Sequence, residues 1–446
     1  MRYDPAHMDC LIKDFAQHVG EVVTMKGWSY NVRSSGSIVF LQMRDGSGFT
    51  QAVVAKPTVS EEVWNAASRL TIESSAIVTG TVTKHPKQEG VYELQVTDVQ
   101  PIQIAEEYPI GKKEHGPDFL FDHRDLYVRS KTPWAVLRIR DRVFLSIEQF
   151  FHEEGFIRFD TPIIQPTSCE DTTQLFTVDY YETPGYLSQS GQLYSEAGIM
   201  SFGKVYDFGP VFRAEKSKTR HHLSELWMMD AEMAFHDQTM NMDVQERLVK
   251  RMVKDVLEHC QEELKILERD TTILQKLVHE PFVHLKHAEA KRILKEEGLI
   301  TKETYDDTYW QDDMSTEEEI ALGNKYQLPV FIEDYPAQIK SFYMKRFVDA
   351  GGVLRARCAD LIAPEEGREI VGGSQREESY EALKKEIVDR KYPLEKYEWY
   401  LNTRKYGSVP HSGFGLGLER TVRWICGVHH VRETIPFPRL LNRMEP

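Results

Sequence analysis

The stretch Gly203–Phe235, GKVYDFGPVFRAEKSKTRHHLSELWMMDAEMAF, constrains the fold more than any other part of the chain. It reads as two extended runs joined by a cationic loop, the pattern of two strands flanking a turn. Alternation in the second run puts Trp227, Met229, Ala231 and Met233 on one face and Leu226, Met228, Asp230 and Glu232 on the other. A strand with one apolar face and one acidic face separates a core from a site. Arg213 and Glu215, two residues apart in the first run, are expected on one face. The loop holds Lys216, Lys218, Arg220, His221 and His222, donors suited to a polyphosphate because Lys and Arg bind phosphate oxygens by charge-assisted hydrogen bonds. Taken alone, such a loop is more often a solvated hairpin tip.

A length of 446 residues allows two or three domains, and 41% hydrophobic with 28% charged residues is the balance of a globular enzyme. The net charge of −15 opposes a general attraction to nucleic acid. It is uneven: residues 1–104 carry 9 Lys+Arg against 11 Asp+Glu, so most of the excess lies beyond them and any RNA contact must be local. Cys10, Cys169, Cys260, Cys358 and Cys426 lie far apart with no C-x-x-C pair. That suggests neither a disulfide framework nor a zinc site, and it fits a reduced, cytoplasmic setting. The N-terminal MRYDPAHMDC lacks the apolar core of a signal peptide, and no window has the ~18 apolar residues of a membrane span.

Glu21–Trp28, Ile38–Arg44, Phe49–Val54, Ala76–Thr83 and Tyr92–Gln100 read as strands, with a helical interval at Ser60–Leu70. Five short strands with one inserted helix predict an OB-fold barrel over residues 1–104, a common binder of single-stranded nucleic acid. Residues 105–133, rich in charge, Gly and Pro, predict a linker or hinge. Thr132-Pro133 predicts a helix start, with Thr132 as N-cap, for an apolar stripe over Trp134–Glu154 closed by Gly155. A strand follows over Phe156–Ile164. Asn241–Asp270 is expected as one long helix, and residues 271–345 as a helical insertion whose acidic run, Tyr305–Glu319, is a solvated surface. Between Cys358 and Arg376, Asp360 and Glu369 stand among glycines; taken alone this is one Asp and one Glu in a turn-rich region and indicates no metal site. Tyr406–Gly427 is a glycine-rich strand running into a helix, without the G-x-G-x-x-G or G-x-x-x-x-G-K-[ST] of nucleotide-binding βα units.

Phe-Arg213-Ala-Glu215, the basic loop and His222-Leu-x-Glu225 resemble motif 2 of the class II aminoacyl-tRNA synthetases. Other stretches resemble the aspartyl/asparaginyl subgroup in the same order, from about residue 11 to the C-terminus. The resemblance implies an α+β chain: an N-terminal OB-fold β-barrel, then an antiparallel catalytic sheet of six to seven strands with flanking helices over 134–446. It implies ATP and Mg²⁺ as cofactors, with asparagine and tRNA(Asn) as partners. By it, Arg213, Glu215 and Arg420 are catalytic. Arg220, His221, His222, Leu226 and Glu369 join them around ATP, with Asp360 and Glu369 as metal ligands. Glu170, Ser190, Gln192, Asp230, Glu232 and Arg376 would hold the amino acid, and glycines 413, 415 and 417 of motif 3 would admit the nucleotide. In the barrel, RSSGSIVFLQMRDGSGFTQ resembles the family's anticodon-binding surface, with Phe40 stacking on a base, Gln51 reading the central uridine and Arg33 on the backbone. The helix and strand ending near Pro162 resemble motif 1, which implies a homodimer.

The motifs also depart from the family. Leu226 stands where Phe usually stacks on adenine, His221 where Arg is usual, Asp230 where Glu is usual, and Asp171 where Gly usually follows Glu170. Aspartate-specific relatives place Lys at the position of Ser195. Two rival readings remain: a paralogue that passes its adenylate to ammonia or another small acceptor, and a catalytically dead RNA-binding module. The joint presence of Arg213, Glu215, Asp360, Glu369 and Arg420 counts against the second.

Overall fold

The computed structural model describes residues 8–111, 113–167, 169, 174–301, 305 and 307–445. The chain forms two compact units, Met1–Gly116 and Pro117–Pro446. In the first, the elements are β1 (Val22–Ser35), β2 (Ile38–Arg44), β3 (Phe49–Ala55), α1 (Glu61–Arg69), β4 (Ser75–Lys84) and β5 (Tyr92–Gln103). Strand pairing runs β1-β2-β3-β5-β4 and back to β1, so five strands close a barrel without open edges, with β3 and β5 parallel. Val39, Leu41 and Met43 of β2 are buried in its core, while the alternate Phe40 and Gln42 face outward. β1 runs beyond Trp28 because Asn31–Ser35 pairs with residues 38–42 across a turn whose Gly36 has φ +59°. Ser60 caps α1 by accepting the Val63 amide at 3.2 Å.

The second unit begins inside the expected linker. Pro117–Asp122 and Arg124–Tyr127 are short helices, and the buried Arg124 guanidinium donates to the carbonyls of Pro436 (2.8 Å) and Ile435 (3.0 Å). The elements that follow are α2 (Lys131–Glu153), β6 (Ile157–Arg158), α3 (Gln192–Phe202), β7 (Lys204–Phe212), β8 (Glu225–Ala234) and α4 (Gln238–His259). Then come β9 (Val283–Lys286), α5 (His287–Glu296), α6 (Thr316–Tyr326), β10 (Val330–Glu333), β11 (Cys358–Ala363), β12 (Arg368–Gln375), α7 (Glu398–Lys405), β13 (His411–Gly417) and α8 (Leu418–Cys426). The sheet order is β9-β10-β11-β12-β13-β8-β7-β6. Six central strands are antiparallel and a parallel strand flanks each edge, so the sheet is mixed and one strand wider than expected. Val136, Ile139 and Val143 of α2 and Leu248, Val249 and Met252 of α4 share one buried cluster with Met229, Ala231 and Met233. The face of β8 expected to be core is core.

Several local expectations shift. α2 starts earlier than expected: Ser130, in extended geometry, takes the N-cap position without a side-chain capping hydrogen bond, and Thr132 and Pro133 lie inside the first turn. The expected strand to Ile164 stops at Arg158; Ile164–Gln165 belongs instead to a small sheet with Thr177–Tyr180 and Thr183–Leu187. The helix from Gln238 ends at His259, since Cys260 leaves helical geometry, and Gln261–Ile266 forms a separate turn. The acidic run is not a solvated surface at its end. Ser315 and Glu318 form a capping box, and Glu318 is fully buried against Lys291 Nζ at 2.8 and 3.0 Å, while Glu319 accepts from Arg368 Nε at 2.9 Å. All five cysteines are buried, and among the described residues no helix is long and apolar enough to cross a membrane.

The buried Lys291–Glu318 pair carries a stability prediction. Glu318→Ala strands an ammonium in the interior and should destabilise the second unit by about 3–5 kcal/mol in urea unfolding, whereas Lys291→Met with Glu318→Leu should recover most of the loss.

Candidate active site

A cavity of about 600 Å³ opens over the central strands β8, β12 and β13. Leu226, Met228 and Asp230 of β8 point into it, as the alternation requires. β12 and β13 present glycines there, which lets the backbone form the floor. A Cβ on Gly415 would lie 2.9 Å from Asp230 Oδ1, and one on Gly372 3.0 Å from Glu369 Oε1 and 3.7 Å from Asp360 Oδ1. Gly413 serves a different end from the one expected: a Cβ there would collide with the carboxyl of Glu232, and Gly413 does not line the cavity.

One end of the cavity is cationic. Strand β7 stops at Phe212, so Arg213 and Glu215 lie beyond it, yet both reach the cavity. Arg213 Nη1 donates to the carbonyls of Gln189 (2.7 Å) and Phe212 (3.2 Å), which fixes its direction. Arg420, in the first turn of α8, donates to the Glu369 carbonyl at 3.2 Å. Of the basic loop, only His221 and His222 line the cavity; Lys216 and Lys218 are exposed, and Arg220 is held outside by Glu366 at 2.6 Å. Burial, with Arg423, Arg368, Arg220 and Arg420 adding to it, pulls His221 down to about 3, so it is neutral at pH 7. Burial likewise lowers His222, against the opposing pull of Glu215. Glu215 Oε2 and His222 Nε2 are buried without a hydrogen bond among the described residues, which leaves polar groups open to a ligand.

Beside this end stand Asp360 of β11 and Glu369 of β12, on either side of Gly372. Lys340 Nζ lies 2.7 Å from Asp360 Oδ2. Enclosure and the neighbouring Asp360 charge raise the Glu369 carboxyl above its usual value. Two adjacent carboxylates, one already strained by the other, suit a hard divalent cation that keeps water and phosphate as its remaining ligands. Among the described residues no group of three His, Cys, Asp or Glu gathers as a closed metal cage.

At the opposite end Ser190, Gln192, Asp230 and Arg376 meet. Asp230 Oδ2 accepts from Ser190 Oγ and the Gly191 amide, both at 2.9 Å, and Oδ1 takes no hydrogen bond among the described residues. Burial, only partly offset by those donors, pushes Asp230 up to about 6. Glu232 is not a lining residue: its carboxylate is spent on Arg376, through Nη2 at 2.5 Å and Nε at 3.2 Å. Glu170 lies outside the described residues. Ser195 is buried, its Oγ has no hydrogen-bond partner among the described residues, and it does not line the cavity. Gln189, Lys340, Ser341 and Tyr343, none of them expected from the sequence, also line it. Lys340 sits in a stretch read as insertion and has no signal until Asp360 is brought beside it.

In the barrel, Arg33, Phe40 and Val53 form one outward row across β1, β2 and β3, and Asn31, Gln42, Gln51 and Glu93 form the next. Arg33 is exposed and Phe40 half-buried. Gln51 Nε2 donates to Glu93 Oε1 at 2.6 Å, and its side-chain carbonyl takes no hydrogen bond among the described residues.

A family model described as tRNA synthetases class II (D, K and N) matches residues 116–441, and one described as OB-fold nucleic acid binding domain matches residues 23–102. An asparagine--tRNA ligase of Lactobacillus helveticus is 49% identical over 435 residues, covering 98% of this chain and 99% of that one. The asparaginyl-tRNA synthetase of Pyrococcus horikoshii, solved with asparaginyl-adenylate, superposes with a TM-score of 0.90 at 36% identity over 98% of this chain and 99% of that one. The Entamoeba histolytica enzyme, also solved with asparaginyl-adenylate, gives 0.85 at 29% identity over 98% and 100%. The cavity, the barrel and these matches lead to one conclusion: the chain belongs to the class II tRNA synthetases of the D, K and N group.

Proposed function

We propose that the chain activates asparagine with ATP and transfers it to tRNA(Asn). The observation that carries this reading is a single cavity with guanidinium groups Arg213 and Arg420 and the Asp360–Glu369 pair at one end and a buried acid–guanidinium pocket at the other. The relatives named above as asparagine-specific support it. In the first step a carboxylate oxygen of asparagine attacks the α-phosphorus of ATP, the α–β phosphoanhydride bond breaks, and pyrophosphate leaves. Arg213 neutralises the α-phosphate, and Arg420 lies against the nucleotide's outer phosphates and base. No side-chain nucleophile is required; the protein supplies orientation and fixed charge. Asp360 and Glu369 would hold Mg²⁺, which screens the phosphate charge. His221 and His222, uncharged here, act as hydrogen-bonding groups, and Glu215 as an acceptor.

For the amino acid, Arg376 donates to the side-chain carbonyl while Asp230 Oδ1 and Gln192 accept from N–H groups, with Ser190 holding Asp230 in place and Glu232 holding Arg376. Glu170 takes the amino group by the family resemblance. Aspartate would set a second carboxylate against Asp230 in a site shielded from water, where like charges are strongly unfavourable. In the barrel Phe40 stacks on an anticodon base, Gln51 presents its carbonyl to the central uridine and Arg33 meets the backbone. A homodimer is supported by the exposed apolar side chains Leu145, Ile157, Ile163, Ile164 and Phe202, and five cysteines without a C-x-x-C pair fit the cytoplasm.

Three outcomes follow. ATP–pyrophosphate exchange should depend on asparagine and Mg²⁺, and Glu369→Ala should remove it; exchange left intact in that variant refutes the metal assignment. Phe40→Ala and Gln51→Ala should each lower kcat/KM for tRNA charging by about 1–3 kcal/mol while exchange is unchanged. Wild-type protein that exchanges but never charges tRNA would favour the small-acceptor paralogue. Finally, Asp230, raised to about 6, is ionised above that pH and protonated below it. Its proton goes to the open Oδ1 and converts an acceptor into a donor, so the KM for asparagine should climb as pH falls through 6. Asp230→Asn should flatten that dependence.

A further inference from the structure

Behind the amino-acid end lies a buried polar cluster whose members Glu196, Tyr400, Arg404 and His411 do not line the cavity and which reaches it through Gln192. Glu196 of α3, fully buried, receives Tyr400 OH on both oxygens at 2.8 Å, His411 Nε2 on Oε2 at 3.0 Å, the Arg404 guanidinium on Oε2, and Gln192 Nε2 on Oε1 at 3.0 Å. These partners come from α3, α7 and the first residue of β13. Arg404 is itself fixed by the Glu377 carbonyl at 2.9 Å, and His411 Nδ1 faces the Val409 carbonyl at 2.7 Å. Burial alone would raise the Glu196 carboxyl, but Arg404 and His411 outweigh it and hold the group well below the usual carboxylate range. An ionised carboxylate only accepts hydrogen bonds. Gln192 must therefore turn its NH₂ toward Glu196, and its Oε1, which has no partner among the described residues, is the atom left for the cavity it lines.

We infer that Glu196 is a positioning residue for amino-acid recognition: it sets the direction of the Gln192 amide so that the site presents a carbonyl acceptor to an N–H donor of the substrate. Gln192 and Glu196 are four residues apart on one helix, so the arrangement is built into α3 and requires no substrate to form. The inference rests on the proposed asparagine site and adds what enforces its polarity. Glu196→Gln would reverse that polarity. With Arg404 and His411 both at Oε2, the new carbonyl must take that position and the new NH₂ must face Gln192. Gln192 would then rotate to accept, and its own NH₂ would face the cavity.

The test is asparagine-dependent ATP–pyrophosphate exchange on the full chain. Glu196→Gln should raise the KM for asparagine at least tenfold with the KM for ATP within about twofold, a split that a general loosening would not produce. The exchange variant, Glu196→Gln with Gln192→Glu, restores an acceptor facing the cavity and a donor between the two side chains, and should return the asparagine KM to within a few-fold of wild type. If loss of the Arg404 partner leaves the single variant unfolded, the double variant carries the test, since its carboxylate is kept within the cluster. A KM shift for asparagine but not for an analogue lacking the side-chain NH₂ assigns Oε1 to that group; an equal shift for both assigns it to the α-ammonium, and either supports the inference. An unchanged asparagine KM in folded Glu196→Gln, a parallel rise in the KM for ATP, or an exchange variant no better than Gln192→Ala overturns it. Failure of the asparagine reading itself would show separately, as wild-type exchange that does not need asparagine.

Discussion

The pocket depends on one buried ion pair, Glu232 with Arg376, both almost fully shielded from water. Burying two opposite charges is seldom a net source of stability, because desolvation offsets the attraction. What the pair supplies is direction. Two contacts to Glu232 and one from Nη1 to Ser374 Oγ at 2.6 Å fix the guanidinium at the wall of the cavity. Burial works against the Arg376 charge, but Glu232 and Glu196 outweigh it and the group stays cationic. Gly413 is the backbone condition for all of this, since any Cβ there would occupy the space of the Glu232 carboxyl. A residue that looks like a nucleotide-facing glycine in the sequence is thus a packing requirement of the Glu232–Arg376 pair.

The same region contains groups whose environment is unfavourable to them. Asp230 at about 6 binds its proton more readily in the folded chain than in the unfolded one, where the ordinary value is 3.8. Its contribution therefore falls as pH rises from about 4 through 6, and at pH 7 ionising it costs on the order of 3 kcal/mol relative to acid conditions. Ser190 Oγ and the Gly191 amide limit that cost without removing it. The fold tolerates this because the large apolar cluster on the other side of β8, with Met229, Ala231 and Met233 at its centre, lies only one residue out of phase with Asp230 and Glu232. Core and site are the two faces of one strand.

That phase relation is why the centre of the molecule could be read from the amino acids. Alternation in β8 is local, and it identified both faces. The barrel was legible for the same reason, down to its inserted helix and the Ser60 start. What could not be read depends on partners distant in the chain. Lys340 becomes a site residue only when the sheet brings Asp360 to it. Glu318 and Glu319, in a run that looks solvated, are buried because Lys291 and Arg368 come from elsewhere to pair with them. Arg220 reads as a phosphate ligand, but Glu366, on the tight β11–β12 turn, takes its guanidinium.

How an acidic chain can hold a polyphosphate also turns on local arrangement. Arg213, Arg220, Arg368, Arg420 and Arg423 converge near one end of the cavity, and their effect can be read from the groups between them. Burial begins the depression of His221, and four of these arginines deepen it. Arg423 is itself lowered to about 10, first by burial and then chiefly by Arg220, with Glu366 opposing. Guanidinium charges close enough to deepen the depression that burial begins at His221 are also close enough to attract phosphate, and the walls of the cavity reduce the screening that would weaken them in open water. Replacing the family's usual arginine by His221 removes one formal charge from a place where several already repel one another. The electrostatic loss is accordingly smaller than the loss of an isolated cation would be, and the neutral ring keeps a hydrogen-bonding nitrogen where the phosphates would lie.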